Sequence, residues 1–161
     1  MTDVRAAEIA PKLQKAHHRL SQLFAALTEA QWQSVVYVSS GWTVEDVLRH
    51  LVSAEPGLHI NIERIRQGGS GASADFDLDR WNDRQLQKLH DHPRAELLDR
   101  FERQHQATLA LLQSIQPEDW EKQGRHALAG MLTIEGWVNL IGLHNRQHLL
   151  DIERALSSGA V

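Results

Sequence analysis

An all-α protein with four principal helices is what this sequence predicts, and three observations predict it. Apolar residues recur at helical spacing in four long runs, Gly, Pro and Ser punctuate the gaps, and a short segment after the first run is echoed after the third. The runs predict helices near residues 5–28, 43–67, 93–115 and 133–157. Together they make a four-helix bundle.

The first helix starts at about Val4 or Pro11 and buries Leu13, Leu20, Phe24 and Leu27, with His17 on the same stripe. Thr28 to Gly41 holds a β-branched stretch too brief for a sheet of its own and reads as a connection. Thr43 caps the second helix, because Thr43-x-x-Asp46 approximates a capping box ahead of an apolar-periodic run. That run buries Val44, Val47, Leu48, Leu51, Leu58, Ile62 and Ile65. Pro56 is a candidate kink, and Gly68-Gly69 ends the helix. His50 lies at the edge of this stripe. Gly68 to Asp79 is loop-like, and Trp81 to Leu89 has room for a short helix. Asp91-His92-Pro93 then offers a cap and a first-turn proline for the third helix, whose inner face carries Leu98, Phe101, His105, Thr108, Leu112 and Ile115. Glu118 to Leu132 reads as a second irregular connection before Thr133 caps the last helix.

Leu27-Thr28-Glu29-Ala30-Gln31-Trp32 resembles Ile115-Gln116-Pro117-Glu118-Asp119-Trp120, and His17 and His105 each precede their tryptophan by the same interval. Either this is chance similarity between short helical segments or it marks two helical hairpins about a pseudo-twofold. In the second case the second and third helices run parallel, in an up-down-down-up order with a long crossover between them. Gly68 to Pro93 is long enough for the roughly 30 Å that requires, at about 3.3 Å per extended residue.

The length of 161 residues fits a single domain spanning 1–161 with a core of its own. A hydrophobic content of 42% with 24% charged residues argues against both disorder and a membrane protein. The net charge of -4, with no long basic cluster, argues against nucleic-acid binding. Cysteine is absent, so disulfides, thiolate ligands and a cysteine nucleophile are all excluded, and a metal would rest on His and carboxylates. Met1 to Pro11 has no apolar stretch of a secretory signal, and a cytoplasmic location is the default expectation.

Chemistry concentrates in the last helix. His144 and His148 are four apart, which stacks them on one helical face, and they fall where the stripe of Ile134, Trp137 and Ile141 should continue. Two inward imidazoles are either ligands to a divalent metal or core histidines bonded to polar neighbours. An open catalytic site wants three protein ligands, and the second helix offers His50. Asp151 could orient a ligand imidazole, although a surface partnership with Arg146 or Arg154 is the commoner role. Glu55 lies well around its helix from His50 and reads as a base or a cap to a cation. His17 and His105 read as a structural polar layer or pocket lining. Trp42, Trp81 and Trp137 read as packing, and His59, His90, His92 and His126 as solvated.

The run from Gly41-Trp42-Thr43 through Val44-Glu45-Asp46-Val47-Leu48-Arg49-His50-Leu51, with His144-x-x-x-His148 near the end, resembles the DinB-like superfamily of four-helix bundles over nearly the whole chain. The resemblance implies that His50, His144 and His148 bind a divalent metal, zinc first, with nickel, iron or manganese also compatible. It implies the crossover bundle and a homodimer. Some relatives use a low-molecular-weight thiol, bacillithiol or mycothiol, as transferases or isomerases, and others are linked to stress protection.

Two functions follow as expectations. The first is a metal-dependent enzyme, a thiol-dependent transferase or isomerase or a hydrolase acting on a small-molecule electrophile. Its catalytic groups beyond the metal are not identified; His17, His105, Glu55 and Arg146 are the candidates. The second is a non-catalytic protein that binds or sequesters a small molecule or a metal.

Overall fold

The computed structural model describes residues 3–161; Met1 and Thr2, where the amino-terminal stretch begins, lie outside them. Four long helices dominate: α1 (Val4–Ala26), α3 (Val44–Arg66), α5 (Arg94–Ser114) and α6 (Ile134–Ser158). One helical turn, α2 (Glu29–Trp32), follows α1, and α4 (Leu78–Leu89) lies in the crossover. Each principal helix falls within two residues of its expected bounds. Caps explain the agreement. Asp3, Thr43 and Thr133 accept hydrogen bonds from the first-turn amides of α1, α3 and α6, each such cap contributing about 1 kcal/mol.

Two sets of buried residues fix the directions of the helices. One joins Leu20 and Phe24 of α1, Val44 to Val52 of α3, Leu97 and Phe101 of α5 and Leu149 to Ala155 of α6. The other joins Ala6, Ile9 and Leu13 of α1, Ile62 and Ile65 of α3, Leu112 of α5 and Ile134 to Ile141 of α6. The carboxyl-terminal part of α1 therefore lies at the same end as the amino-terminal parts of α3 and α5 and the carboxyl-terminal part of α6. The order is up-down-down-up, with α3 parallel to α5 and α1 parallel to α6. Residues 67–93 cross the length of the bundle.

The two connections are more ordered than their composition predicts. Val35–Tyr37 (β1) pairs antiparallel with Trp42–Thr43 (β2), and Gln123–His126 (β3) pairs with Gly130–Thr133 (β4). These segments read as irregular because strands of two to four residues carry almost no periodicity. Pairing comes instead from docking and from the helix each hairpin feeds. Both hairpins end on the threonine that caps the next helix, and Trp32 and Trp120, at matching places before them, are both buried. The second hairpin is held against the crossover. Gly71 sits at φ 82° with the Arg125 backbone so near that a Cβ would collide with it, and Arg125 N–H bonds Ser70 O at 2.8 Å while Ala72 N–H bonds Arg125 O at 2.7 Å. Gly124 leaves room for Ile65 in the same way.

Among the described residues no helix is long and apolar enough to cross a membrane.

Candidate metal centre

Antiparallel packing of α3 on α6 brings His50 against His144 and His148. His50 Nε2 lies 2.9 Å from His144 Nε2, and His148 Nε2 lies 3.1 Å from the same atom. All three rings are edge-on to one another, with centroids 4.5–4.9 Å apart. Burial lowers the pKa of each. His144 is brought to about 3, first by desolvation and then by the charges of His148 and His126, and His148 to about 4 by desolvation. His50 is pushed well down by burial first, then by its two neighbours. At neutral pH the three imidazoles are uncharged.

The first hairpin supplies the support that the sequence reading missed. Its register places Tyr37 opposite Trp42, which packs at 5.1 Å from His50. Tyr37 Oη donates to Asp151 Oδ2 at 2.8 Å and lies 2.7 Å from His148 Nδ1. Burial and the Asp151 carboxylate push the phenol pKa up, so the hydroxyl keeps its one proton and gives it to the carboxylate. His148 Nδ1–H must then donate to the Tyr37 oxygen, which leaves Nε2 bare and aimed at the other two histidines. Asp151 is buried and also accepts from Gln147 Nε2 at 3.1 Å. It is not the surface partner of Arg146 or Arg154 that helical spacing favoured. It orients a histidine, through a tyrosine 114 residues away in sequence.

This donor set fits a divalent ion. An Nε2 atom carries at most one proton, so His144 cannot satisfy both neighbours by donating, and His148 has no proton there to give. A cation accepts all three lone pairs at once. His50, His144 and His148 each bring one ligand atom into a single cluster, the only such group of three or more His, Cys, Asp or Glu among the described residues. His50 Nδ1 is buried without a hydrogen-bond partner among them.

The remaining candidates are elsewhere. Glu55 is buried, accepts from Thr108 Oγ1, from Gln104 Nε2 at 3.1 Å and from Asn145 Nδ2 at 3.3 Å, and has its pKa raised by burial. It is neither a ligand nor a cap to a cation. His59, expected in solvent, lies 2.6 Å from the same Thr108 hydroxyl. His17 stacks on His105 at 3.9 Å and donates from Nε2 to Glu102 at 2.8 Å. These groups form a polar layer across four helices between the two apolar clusters. Arg146 lines a groove of about 320 Å³ between α1 and α6, with Lys12, Lys15 and Arg19. His90 is exposed and His92 half-buried, whereas His126 is half-buried against Trp137 rather than solvated.

A sequence profile of the DinB superfamily matches residues 12–152. A protein of Oceanobacillus iheyensis named "putative metal-dependent hydrolase" is 25% identical over 118 residues, which is 72% of this chain and 66% of that one. A protein of the same description from Bacillus mycoides is 25% identical over 116 residues, 72% of this chain and 65% of its own length. The chain thus matches just under two-thirds of each relative. YfiT from Bacillus subtilis, described as a probable metal-dependent hydrolase with an unusual four-helix bundle topology, has the same fold: the TM-score is 0.78 over 100% of this chain and 91% of that one, at 19% identity.

Proposed function

The chain belongs to the DinB superfamily, and from that premise we propose that it is a divalent-metal-dependent enzyme acting on a small electrophile, with His50, His144 and His148 as its metal ligands. One observation carries the reading: three uncharged Nε2 atoms meet at one point, and the hydrogen bonds of Tyr37 and Asp151 fix the proton of His148 on its far nitrogen. A divalent ion in such a site supplies Lewis acidity and lowers the pKa of a water or thiol at its open side.

The protein's own part is positional. Tyr37 and Asp151 hold the His148 ring and its tautomer, and Trp42 packs its ring 5.1 Å from that of His50. Burial keeps the three imidazoles uncharged. Hydrolysis fits the names of the two curated relatives. Thiol transfer or isomerisation fits the resemblance in the sequence, with a thiol brought by a cofactor because the chain has no cysteine. Zinc suits three imidazoles best, followed by nickel, iron and manganese. Pairing of two chains into a homodimer is part of the same proposal, and sedimentation equilibrium tests it.

Elemental analysis of protein purified without added metal should find one divalent ion per chain, and none in a His144→Ala, His148→Ala double variant. Consumption of small activated esters and epoxides, with and without a small thiol, then separates water from thiol as the nucleophile. Stoichiometric metal with no turnover of either kind would point to sequestration instead.

A further inference from the structure

The residues that follow α6 fold back onto the first hairpin. Val161 N–H donates to Val36 O at 2.7 Å, and Val38 N–H donates to Val161 O at 2.9 Å. These two bonds bracket Tyr37 on the edge of β1 that faces away from β2. The other edge is held by Gly41 N–H on Tyr37 O at 2.8 Å and by the pairing of Tyr37 with Trp42. Val161 thus adds a third strand, one residue long, to the hairpin. Gly159 turns the chain toward it. It stands at φ 103° and ψ 171°, a region essentially closed to residues with a side chain, while its N–H still bonds Ala155 O at 3.1 Å.

The hairpin needs such a strand. β1 has three residues and β2 two, too few to be stable alone, and the register shifts between Val35 and Tyr37, so that two steps along β1 face one along β2. With that irregularity, β2 alone specifies the direction of the Tyr37 side chain weakly. The direction matters, because the Tyr37 hydroxyl meets His148 Nδ1 at 2.7 Å and Asp151 Oδ2 at 2.8 Å. The chain of α6 therefore grips Tyr37 twice, at the hydroxyl through His148 and Asp151 and at the backbone through Val161. Neither Gly159 nor Val161 belongs to the core: Val161 is 41% exposed, and a Cβ on Gly159 would meet nothing within 4 Å.

We propose that Gly159 and Val161 are positioning residues for the metal centre. Their docking on β1 aims the Tyr37 hydroxyl, which in turn sets the His148 ring, so the affinity of the triad for a divalent ion depends on the segment beyond α6. The inference rests on the metal reading of His50, His144 and His148.

Point variants of the full-length chain test it. Val161→Pro removes the N–H that Val36 accepts, Gly159→Val is driven out of the backbone conformation that makes the turn, and Val161→Ala keeps every backbone group. Tyr37 is the sole tyrosine of the chain, so a single NMR signal from its isotope-labelled, hydroxyl-bearing ring carbon reports on that hydroxyl in metal-free protein. Val161→Pro and Gly159→Val should move this signal and lower zinc affinity about fivefold in competition with a chelating dye, a loss bounded by that of Tyr37→Phe. Val161→Ala should match the parent in both measurements. In a Tyr37→Phe background Val161→Pro should cost no further affinity, because the hydroxyl through which it acts is already gone. A purely structural role would give additive losses instead. Additive losses, an unmoved signal or parental affinity in Val161→Pro overturns the inference while the metal site stands. A parent that takes up no zinc overturns the metal reading, and the inference with it. Should Val161→Pro not fold, Gly159→Val takes its place in every comparison.

Discussion

Six buried or half-buried histidines lie on the long helices facing the core, and apart from His59, which meets Thr108, they divide into two groups that helical periodicity cannot tell apart. His17 and His105 stack between α1 and α5, where Glu102 and Ser21 take up the ring nitrogen of His17 that faces them. The Nε2 atoms of His50, His144 and His148 face only one another, Tyr37 meeting His148 at its far nitrogen. The difference teaches that a core histidine is assigned by what meets its nitrogens. Where carboxylates and hydroxyls meet them the histidine is a strut; where other bare nitrogens meet them the site is made for a cation.

The sharpest test of that division is deletion on each side. His144→Ala with His148→Ala should remove metal binding altogether, by at least a hundredfold in affinity in a competition titration with a chelating dye. His17→Ala should leave metal content unchanged while costing about 1–3 kcal/mol in urea unfolding, because a stacked and hydrogen-bonded ring is lost from the core. A loss of metal in His17→Ala would erase the distinction.

Next in size is the polar layer to which His17 and His105 belong. Glu55→Ala would strand the donors of Gln104, Thr108 and Asn145, at a cost of about 2–3 kcal/mol measured by the same unfolding. The pH dependence has a definite sign. Glu55 has its pKa raised by burial, so its contribution to stability is full below the ordinary carboxyl value of 4.5 and is lost as pH rises through the folded value. His105 is lowered from 6.5 to about 4, by burial first and then by His17, so its contribution is full above 6.5 and is lost as pH falls toward 4. Glu55→Gln should therefore flatten the stability profile on the side of rising pH, and His105→Gln on the acid side. Urea midpoints across pH 4–8 check both.

Smaller again is the effect of the support behind His148. Tyr37→Phe frees its Nδ1 proton and leaves Asp151 without that donor, and metal affinity should fall about tenfold with little change in melting. Metal should persist at pH 5.5, where free imidazole is mostly protonated, and leave as pH approaches 4, because burial holds His144 near 3 and His148 near 4. The smallest effect belongs to His59→Ala, which loses a bond to Thr108 outside the triad and should bind metal as the parent does.

The helices and the pairing of His144 with His148 were legible because both are written locally, whereas the joining of His50 to them came from the resemblance to the DinB-like superfamily. Caps at Thr43 and Thr133, stripes of Val and Leu, and the i, i+4 pair at His144 each need only a turn or two of sequence. The crossover was legible from the echo around Trp32 and Trp120. What escaped lies between distant elements. Tyr37 meets His148 across 111 residues, and nothing in Val35-Val36-Tyr37 marks its hydroxyl as aimed at anything. Asp151 was open to orienting a ligand imidazole, but it sits where a helix-surface acid would sit, and the intervening Tyr37 hydroxyl was not foreseen. His126 looked solvated because its environment is set by the docking of Gly124 and Arg125 on α3 and the crossover.

The parallel pairing of α1 with α6 also has a consequence for how the chain reaches its shape. The first and last helices lie side by side, as the bond from Arg19 to Glu153 shows across 134 residues. A simple up-and-down bundle can zip neighbour onto neighbour, but here the main partner of α1 is α6, with every other helix lying between the two in sequence. Loop closure of that length costs entropy that grows only slowly with length, yet it must be met before the contact gives any return. On the ribosome, α1 can dock on α5 through His17 and Phe24, but the larger part of its apolar face, with Ile9 and Leu13, would stay open until α6 emerges, which leaves the nascent chain exposed to chaperones over that interval.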